Sequence, residues 1–325
     1  MVMFTQLSER DIVAIAGDFG LGEVVTWTEI PAGTINSNFS LETTDGRFVL
    51  RINEGKSEDE VRYEAELVTE LVGRGVPAPL PHRAPSGDPF VVHDGRYVSL
   101  FPWVEGSHRS AGQVTASDAA ALGRALARLH RAGLDIAEKF QRAGRYTFEQ
   151  IVGRFEHICT LTDATSDPVL APALAVVKDE IAWLRARDHT RQSATRGIIH
   201  GDLFPDNVMF AGPELTALID FEQASAGSLA YDVAVCLNSW CYDDEFDPAL
   251  ITATLSGYQE VRAMPRHDLA ALPVEVRAAA MRFIVTRITD VYLPGVDNPD
   301  KDFRSYLVRL KSWRAMDTDV LHPII

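Results

Sequence analysis

The sequence is poor in cysteine and has no long apolar run, and both absences restrict the kind of protein it encodes. Because no stretch of about 18 apolar residues occurs, we expect no membrane-spanning helix. Cys159, Cys236 and Cys241 lack the spacing of a zinc site or a redox pair, so we expect reduced thiols. The charged N-terminus has no basic start followed by an apolar stretch, so we expect no signal peptide and a cytoplasmic location.

Clusters of basic residues are also missing, and the net charge is −15 with a pI near 5.0. Nucleic-acid binding draws on grouped Lys and Arg, so we expect no nucleic-acid partner. Internal repeats and low-complexity segments are absent as well. A chain of 325 residues, 46% of them hydrophobic, exceeds a single core, which predicts two domains that need neither disulfides nor structural metals.

The first hundred residues have the pattern of a β-rich domain. Ser8 with Asp11, and Ser57 with Glu60, are typical of capping boxes at the start of helices. Strands are predicted at residues 24–30, 36–43, 47–53, 90–93 and 96–101. Asp45-Gly46 and Asp94-Gly95 each predict a hairpin.

The rest of the chain has mainly helical periodicity. Helices are predicted at residues 117–131, 147–161, 168–187, 228–241, 248–261, 274–290 and 302–316, with short strands near 197–200, 207–210 and 215–220. The predicted class is α+β: a small, mainly antiparallel β lobe with one long helix at residues 1–101, a hinge at 102–106, and a larger, mainly helical lobe at 107–325.

Three separated polar residues indicate phosphoryl transfer. Asp202 and Asn207 lie in the turn-rich segment HGDLFPDN, and Asp220 ends the next strand. This reaction requires a carboxylate to orient the attacking hydroxyl and oxygen ligands to hold Mg²⁺ against the phosphates. We predict Asp202 as the catalytic base and Asn207 and Asp220 as metal ligands. Two ordinary loops rich in Asp and Asn are the alternative.

HGDLFPDN and IDFE resemble the catalytic and metal-binding loops of the protein-kinase-like fold, in the form found in the aminoglycoside phosphotransferase and choline kinase superfamily. The segments AGTINSNFSLET, AYDVAVCLNSWC and RFIVTRITD are similar to the bacterial homoserine kinases of this fold. The resemblance implies a bilobal kinase that uses ATP and Mg²⁺ to phosphorylate the hydroxyl of homoserine, a step of threonine biosynthesis. The short distance from Asp220 to Asp232 leaves no room for a long activation segment, which favours a small-molecule acceptor over a protein.

The resemblance also implies positions for ATP in the first lobe. Its phosphate-covering turn matches the segment with Gly33, Asn36 and Asn38. Arg51 stands where protein kinases have a phosphate-contacting Lys, and Glu64 is the expected ion-pair partner. A surface salt bridge is the alternative for that pair.

The linker that contacts adenine matches Leu100, Phe101 and Trp103, although an apolar run there could equally be core. His200 and Asp232 are expected to support the catalytic loop. For Asp232 the alternative is a carboxylate that only favours a helix N-terminus.

Homoserine is a zwitterion, so its pocket should offer both a cation and a carboxylate. Asn238, Trp240, Arg287 and Asp290 are the candidates for contact with it, with Arg282 also in the region. The alternative makes Arg287 and Asp290 a solvated pair and Trp240 core.

Other functions remain open at this point. The acidic composition and Trp103 and Trp240 suit choline, ethanolamine or an aminoglycoside as acceptor. A nucleotide-binding pseudokinase is a further alternative, because Arg51 and the glycine-poor turn depart from active protein kinases. The oligomeric state does not follow from the sequence.

Overall fold

A five-stranded antiparallel sheet dominates the N-terminal part of the chain. The computed structural model describes residues 5–31, 36–110, 112–161, 163, 166–316 and 318–321. The strands are β1 (Val24–Ile30), β2 (Ser37–Thr43), β3 (Gly46–Asn53), β4 (Val91–His93) and β5 (Arg96–Pro102), in the order β1-β2-β3-β5-β4. Residues of β2, β3 and β5 that alternate along the strands point to one face and bury Phe39, Leu41, Leu50, Ile52, Val98 and Leu100.

Two helices accompany this sheet, and both begin as the sequence predicts. α1 (Glu9–Asp18) starts at the Ser8 capping box and α2 (Glu58–Val72) at the Ser57 capping box. Ile12 and Ile15 of α1 belong to the same apolar cluster as the sheet.

Both predicted hairpins of this region are present. Asp94 and Gly95 have φ of 48° and 74°, the conformation of a two-residue loop with a positive φ at both positions. In the other hairpin Thr43 pairs with Gly46, so the loop is Thr44-Asp45, one residue earlier than predicted.

The remainder is mainly helical. Its helices are α3 (Ala116–Ile136), α4 (Phe148–Thr160), α5 (Leu170–Arg185), α6 (Asp188–Gln192), α7 (Leu229–Trp240), α8 (Pro248–Val261), α9 (Arg266–Arg287) and α10 (Phe303–Ala315). β6 (Arg196–Ile199) pairs with β9 (Ser225–Ser228), and β7 (Val208–Ala211) pairs with β8 (Glu214–Leu218).

Three elements differ from the prediction, and the first is the short helix α6, which the sequence did not predict. α9 begins at Arg266, not at residue 274, and continues through Pro273. A proline inside a helix loses one backbone hydrogen bond, and here the buried side chains along α9 compensate for that loss. β9 was not predicted, because Ser-Ala-Gly-Ser has no strand preference of its own and acquires strand geometry by pairing with β6.

The described chain divides into two compact units. The first takes the chain up to Ser107 together with Met209–Ala211 and Thr216–Glu222, and the second takes His108–Val208, Gly212–Leu215 and the chain from Gln223 onward. The hinge at residues 102–106 stays a prediction. In the described part of the chain no helix has the length and apolarity to cross a bilayer. The three cysteines are reduced: Cys159 is exposed, and Cys236 and Cys241 are buried.

Two glycines permit a close crossing of α3 and α8. A Cβ atom at Gly123 would lie 2.1 Å from the carbonyl oxygen of Thr254, and one at Gly257 would lie 2.2 Å from that of Ala120. Neither helix backbone can move away without opening the buried surface between them, so each position requires glycine.

We predict that Gly257→Ala lowers the free energy of unfolding by about 1–3 kcal/mol, because the methyl group overlaps backbone atoms of α3. Urea unfolding followed by circular dichroism measures the change. Gly153→Ala in α4 is the matched control, since a Cβ there meets nothing within 4 Å. Alanine favours helix, so the control should be neutral or stabilising. Equal losses in both variants would contradict the close crossing.

Candidate active site

The loop between β6 and β7 carries Asp202 and Asn207 in a tightly bonded turn. Gly201 has φ of +79°, a conformation that favours glycine. The side-chain amide of Asn207 donates to the backbone oxygen of Asp202 at 2.7 Å, and the Asn207 N–H donates to Phe204 at 2.9 Å. Asn207 therefore closes the loop that carries Asp202.

The fully buried carboxylate of Asp232 holds the start of this loop. It accepts the backbone N–H of His200 at 2.7 Å and that of Gly201 at 2.8 Å. Its Oδ2 also lies 3.0 Å from Nε2 of His130, another fully buried residue. Burial raises the pKa of Asp232, but these hydrogen bonds and the nearby histidines outweigh burial and keep the pKa below its usual value. Asp232 lies in the first turn of α7, but its carboxylate oxygens accept hydrogen bonds from the loop that carries Asp202.

Two side chains orient the carboxylate of Asp202. Arg282 donates to Oδ1 at 3.0 Å and Gln223 donates to Oδ2 at 3.1 Å, while Arg282 also donates to Gln223 at 2.8 Å. The guanidinium of Arg282 stacks on Phe283 and Tyr146 and is 5% exposed, whereas the Asp202 side chain is 26% exposed. Asp202 is thus held in place and still open to a ligand. No sequence motif indicates Gln223, and Arg282 was expected only as an acceptor contact.

The first unit contains a separate cluster of buried charges. Arg51 donates to Glu64 at 2.9 Å, the ion pair expected from the sequence. Lys56 lies 2.8 Å from Glu222 and 3.6 Å from Glu64, and Asn36 donates to Glu222 at 3.0 Å. Lys56 was missed by the sequence reasoning. Its position directly before the Ser57 capping box, in a loop that follows the strand of Arg51, is the only available signal.

Asp220 belongs to this cluster but lacks a hydrogen bond at one oxygen. Its φ is +64°, a strained value for a residue other than glycine. Oδ1 is buried and accepts no hydrogen bond from the described residues, and Nη2 of Arg51 is 3.8 Å away. Burial, with the charges of Glu222 and Glu64, raises the pKa of Asp220 to about 7 despite Arg51 and Lys56. A buried carboxylate oxygen without a partner fits a divalent cation.

The predicted Mg²⁺ site has only two protein ligands, Asn207 and Asp220. Among the described residues no group of three or more His, Cys, Asp or Glu side chains is arranged to hold an ion. Mg²⁺ commonly takes one or two carboxylates and completes its shell with water and phosphate oxygens, so an Asp220 oxygen that accepts no hydrogen bond from the described residues fits that mode. Asn207 and Asp220 stay predicted ligands.

The other positions predicted for ATP lie along β2 and β5 or outside the described residues. Gly33 lies outside them. The Asn38 amide is 3.5 Å from the backbone oxygen of Asn36. Leu100 is buried in the sheet core, the Arg51 guanidinium lies 5.1 Å from the Phe101 ring, and the Arg47 guanidinium lies 3.6 Å from the Trp103 ring.

The positions predicted for the acceptor fall into two groups. Asn238 and Trp240 are buried: Asn238 bonds Ala234, Val276 and Trp313, and Trp240 donates to the backbone of Leu203. These contacts lie within the core, so we do not include either residue among the proposed acceptor contacts. Arg287 and Asp290 have different interaction partners. Arg287 bonds Asp302 and Ser305, while Asp290 pairs with Arg154 at 2.8 Å.

Comparisons with known proteins, by family, by sequence and by structure, all identify phosphotransferases. Residues 26–264 match the model of the phosphotransferase enzyme family. The chain is 36% identical to the homoserine kinase of Beijerinckia indica, covering 98% of each protein, and 35% identical to that of Xanthobacter autotrophicus, again covering 98% of each. Among solved structures, the aminoglycoside phosphotransferase from Alicyclobacillus acidocaldarius superposes with a TM-score of 0.71 at 16% identity, over 98% of this chain and 97% of that one.

We predict that Asp232→Asn lowers the free energy of unfolding by about 3–5 kcal/mol, because the amide turns one acceptor of the buried network into a donor that faces N–H groups. Urea unfolding gives the value. Asp135→Asn, an exposed position of α3, serves as the control and should stay within about 0.5 kcal/mol of the wild type. A loss at Asp232 no larger than that of the control would show that the loop does not depend on it.

Proposed function

We propose, since the chain belongs to the phosphotransferase enzyme family, that it transfers the γ-phosphoryl group of ATP to the side-chain hydroxyl of L-homoserine. The expected α+β protein-kinase-like fold is confirmed by the structural match. The observation that carries the substrate assignment is the identity of about a third to relatives named homoserine kinase, over nearly their whole length.

The geometry of Asp202 supports its role as the base. Its carboxylate is oriented by Arg282 and Gln223 and remains partly open. In phosphoryl transfer the protein acts mainly by positioning the reactants and not by forming covalent bonds. A carboxylate with a fixed orientation can therefore orient the hydroxyl and accept its proton. The hydrogen bonds of Asp232 and Asn207 to the loop keep its backbone from rearranging when that proton is transferred.

The charge cluster of the first unit supports binding of the nucleotide phosphates. Asn207 and Asp220 would hold Mg²⁺, which neutralises phosphate charge when bound. Arg51 is fixed by Glu64, and Lys56 is fixed by Glu222, so two cations are held in place beside Asp220. We propose Lys56 as an addition to the predicted ATP residues, which are Gly33, Asn36, Asn38, Arg51, Glu64, Leu100, Phe101 and Trp103.

The alternative acceptors receive less support. A choline or ethanolamine kinase would present open aromatic faces to an ammonium. Trp240 is 2% exposed and one face of Trp103 is stacked by Arg47. A pseudokinase would lack the base or the metal positions, whereas Asp202, Asn207 and Asp220 are all present.

The test is a panel of acceptors assayed for ADP release with Mg·ATP. We predict turnover with L-homoserine that exceeds turnover with choline, ethanolamine, methylthioribose and an aminoglycoside, because an acceptor with a free carboxylate matches the named relatives. Activity with another member and none with homoserine would overturn the substrate assignment.

Two substitutions separate the proposed roles. Asp202→Asn should lower kcat by about 10²–10⁴-fold, since proton acceptance is lost, while binding of Mg·AMP-PNP measured by calorimetry stays near the wild-type value. Asp220→Asn should weaken Mg·AMP-PNP binding itself. Each variant is the control of the other. Unchanged nucleotide binding in Asp220→Asn would remove Asp220 from the metal site, and near-normal turnover in Asp202→Asn would remove the base.

A further inference from the structure

Two arginines of the second unit stack around one tyrosine. The Arg287 guanidinium, at the end of α9, lies 4.5 Å from the ring centre of Tyr306. That of Arg309, in α10, lies 4.7 Å from the same ring and 4.2 Å from the ring of Tyr242. We call Arg287 and Arg309 the arginine pair.

The arginine pair has no carboxylate partner among the described residues. Arg287 donates to the backbone oxygen of Asp302 and to the hydroxyl of Ser305, and the carboxylate of Asp302 pairs with Arg304. Arg309 forms no ion pair with any described residue, and its Nε is buried without an acceptor. Burial and mutual repulsion lower the pKa of Arg287, and burial lowers that of Arg309. Two partly buried cations without counter-charge are unfavourable until an anion binds.

The tyrosine between them has an unused hydroxyl. Tyr306 is 1% exposed, and its buried hydroxyl has no hydrogen-bond partner in the described structure. Burial is the main cause that raises its pKa to about 12, so the group is a proton donor at neutral pH. A donor that stays buried and unbonded costs stability unless a ligand accepts from it.

The arginine pair is connected to the proposed base. Arg282, which holds Asp202, stacks on Phe283 with 3.9 Å between guanidinium and ring, and Phe283 lies 4.8 Å from Tyr306, ring to ring. The charge of Asp202 also acts on the pKa of both Arg287 and Tyr306. A small ligand bound at the arginine pair can therefore extend toward Asp202.

We propose that Arg287, Arg309 and the Tyr306 hydroxyl bind the carboxylate of the acceptor, so that its hydroxyl reaches Asp202. Stacking uses the faces of the guanidinium groups, and apart from Nη1 of Arg287, which bonds Asp302 and Ser305, it leaves in-plane N–H donors for a planar, two-oxygen anion. The same charge repels acceptors that carry only a cation, which selects against choline, ethanolamine and aminoglycosides. The proposal rests on the proposed function to the extent that the acceptor is a hydroxy amino acid.

The test combines Arg309→Met with a change in the acceptor. 3-Aminopropan-1-ol is homoserine without its carboxylate, so it keeps the hydroxyl and the ammonium. For homoserine, Arg309→Met should raise KM about 10- to 100-fold, the loss of one charge-assisted interaction, with a smaller effect on kcat. We expect 3-aminopropan-1-ol to be a poor substrate of the wild type, and its kcat/KM should change less than about threefold in Arg309→Met, because the partner of Arg309 is already missing.

Matched variants control for folding and for general charge effects. Lys311→Met removes another cation of α10, an exposed one, and should leave both acceptors unaffected. Arg309→Lys keeps the positive charge, so its KM for homoserine should lie between those of the wild type and Arg309→Met. Equal losses with both acceptors in Arg309→Met would overturn the carboxylate site. A rise in the KM of ATP alone would overturn it too, since the arginine pair would then serve a phosphate.

The outcomes also separate this proposal from the homoserine assignment. If the wild type used a different hydroxy acid, and Arg309→Met raised the KM of that acid, the carboxylate site would stand and homoserine would not. If the preferred acceptor carried no carboxylate, the carboxylate site would be refuted.

Discussion

The carboxylate of Asp232 is the group on which the loop that carries Asp202 depends. A buried anion costs free energy unless its lone pairs are filled, and here two loop N–H groups and His130 fill them. The same bonds fix the backbone at His200 and Gly201, where the chain leaves β6. They therefore determine the position of the Asp202 backbone. Because His130 lies in α3 and bonds Tyr258 of α8 at 2.7 Å, the loop is connected to the crossing of α3 and α8.

Charge is left unbalanced in each unit, with opposite sign. In the first, Oδ1 of Asp220 accepts no hydrogen bond from the described residues, although Arg51 lies 3.8 Å away and Lys56 is near. In the second, no carboxylate of the described residues forms an ion pair with Arg287 or Arg309. Folding alone would favour apolar residues at such positions, since an unpaired buried charge lowers stability. Under the proposed function, the Mg²⁺ of a bound nucleotide would supply positive charge to Asp220 and the carboxylate of the acceptor would supply negative charge to the arginine pair, so that ligand binding would offset the lost stability.

Local chemistry made much of the fold predictable. The Ser8 and Ser57 capping boxes, the Asp94-Gly95 hairpin and the loop of Asp202 depend on a few neighbouring residues, and the sequence places them correctly. What it did not reveal depends on distant contacts. β9 is a strand only through β6, and Lys56 meets Glu222 across 166 positions of sequence. Arg309 and Tyr306 carry no motif, so their relation to Asp202 follows only from the packing of α9 and α10.

After Ser107 the chain returns to the first unit twice, at Met209–Ala211 and at Thr216–Glu222, and in the second of these segments the Leu218 N–H donates to Pro77 at 2.7 Å. During synthesis on the ribosome the N-terminal unit therefore cannot be completed when residue 107 emerges. It waits for β8, which follows a long helical stretch of the other unit. Assembly of the two units is consequently interleaved in time, and a gene fragment that encodes residues 1–107 alone leaves the backbone acceptor at Pro77 without its partner.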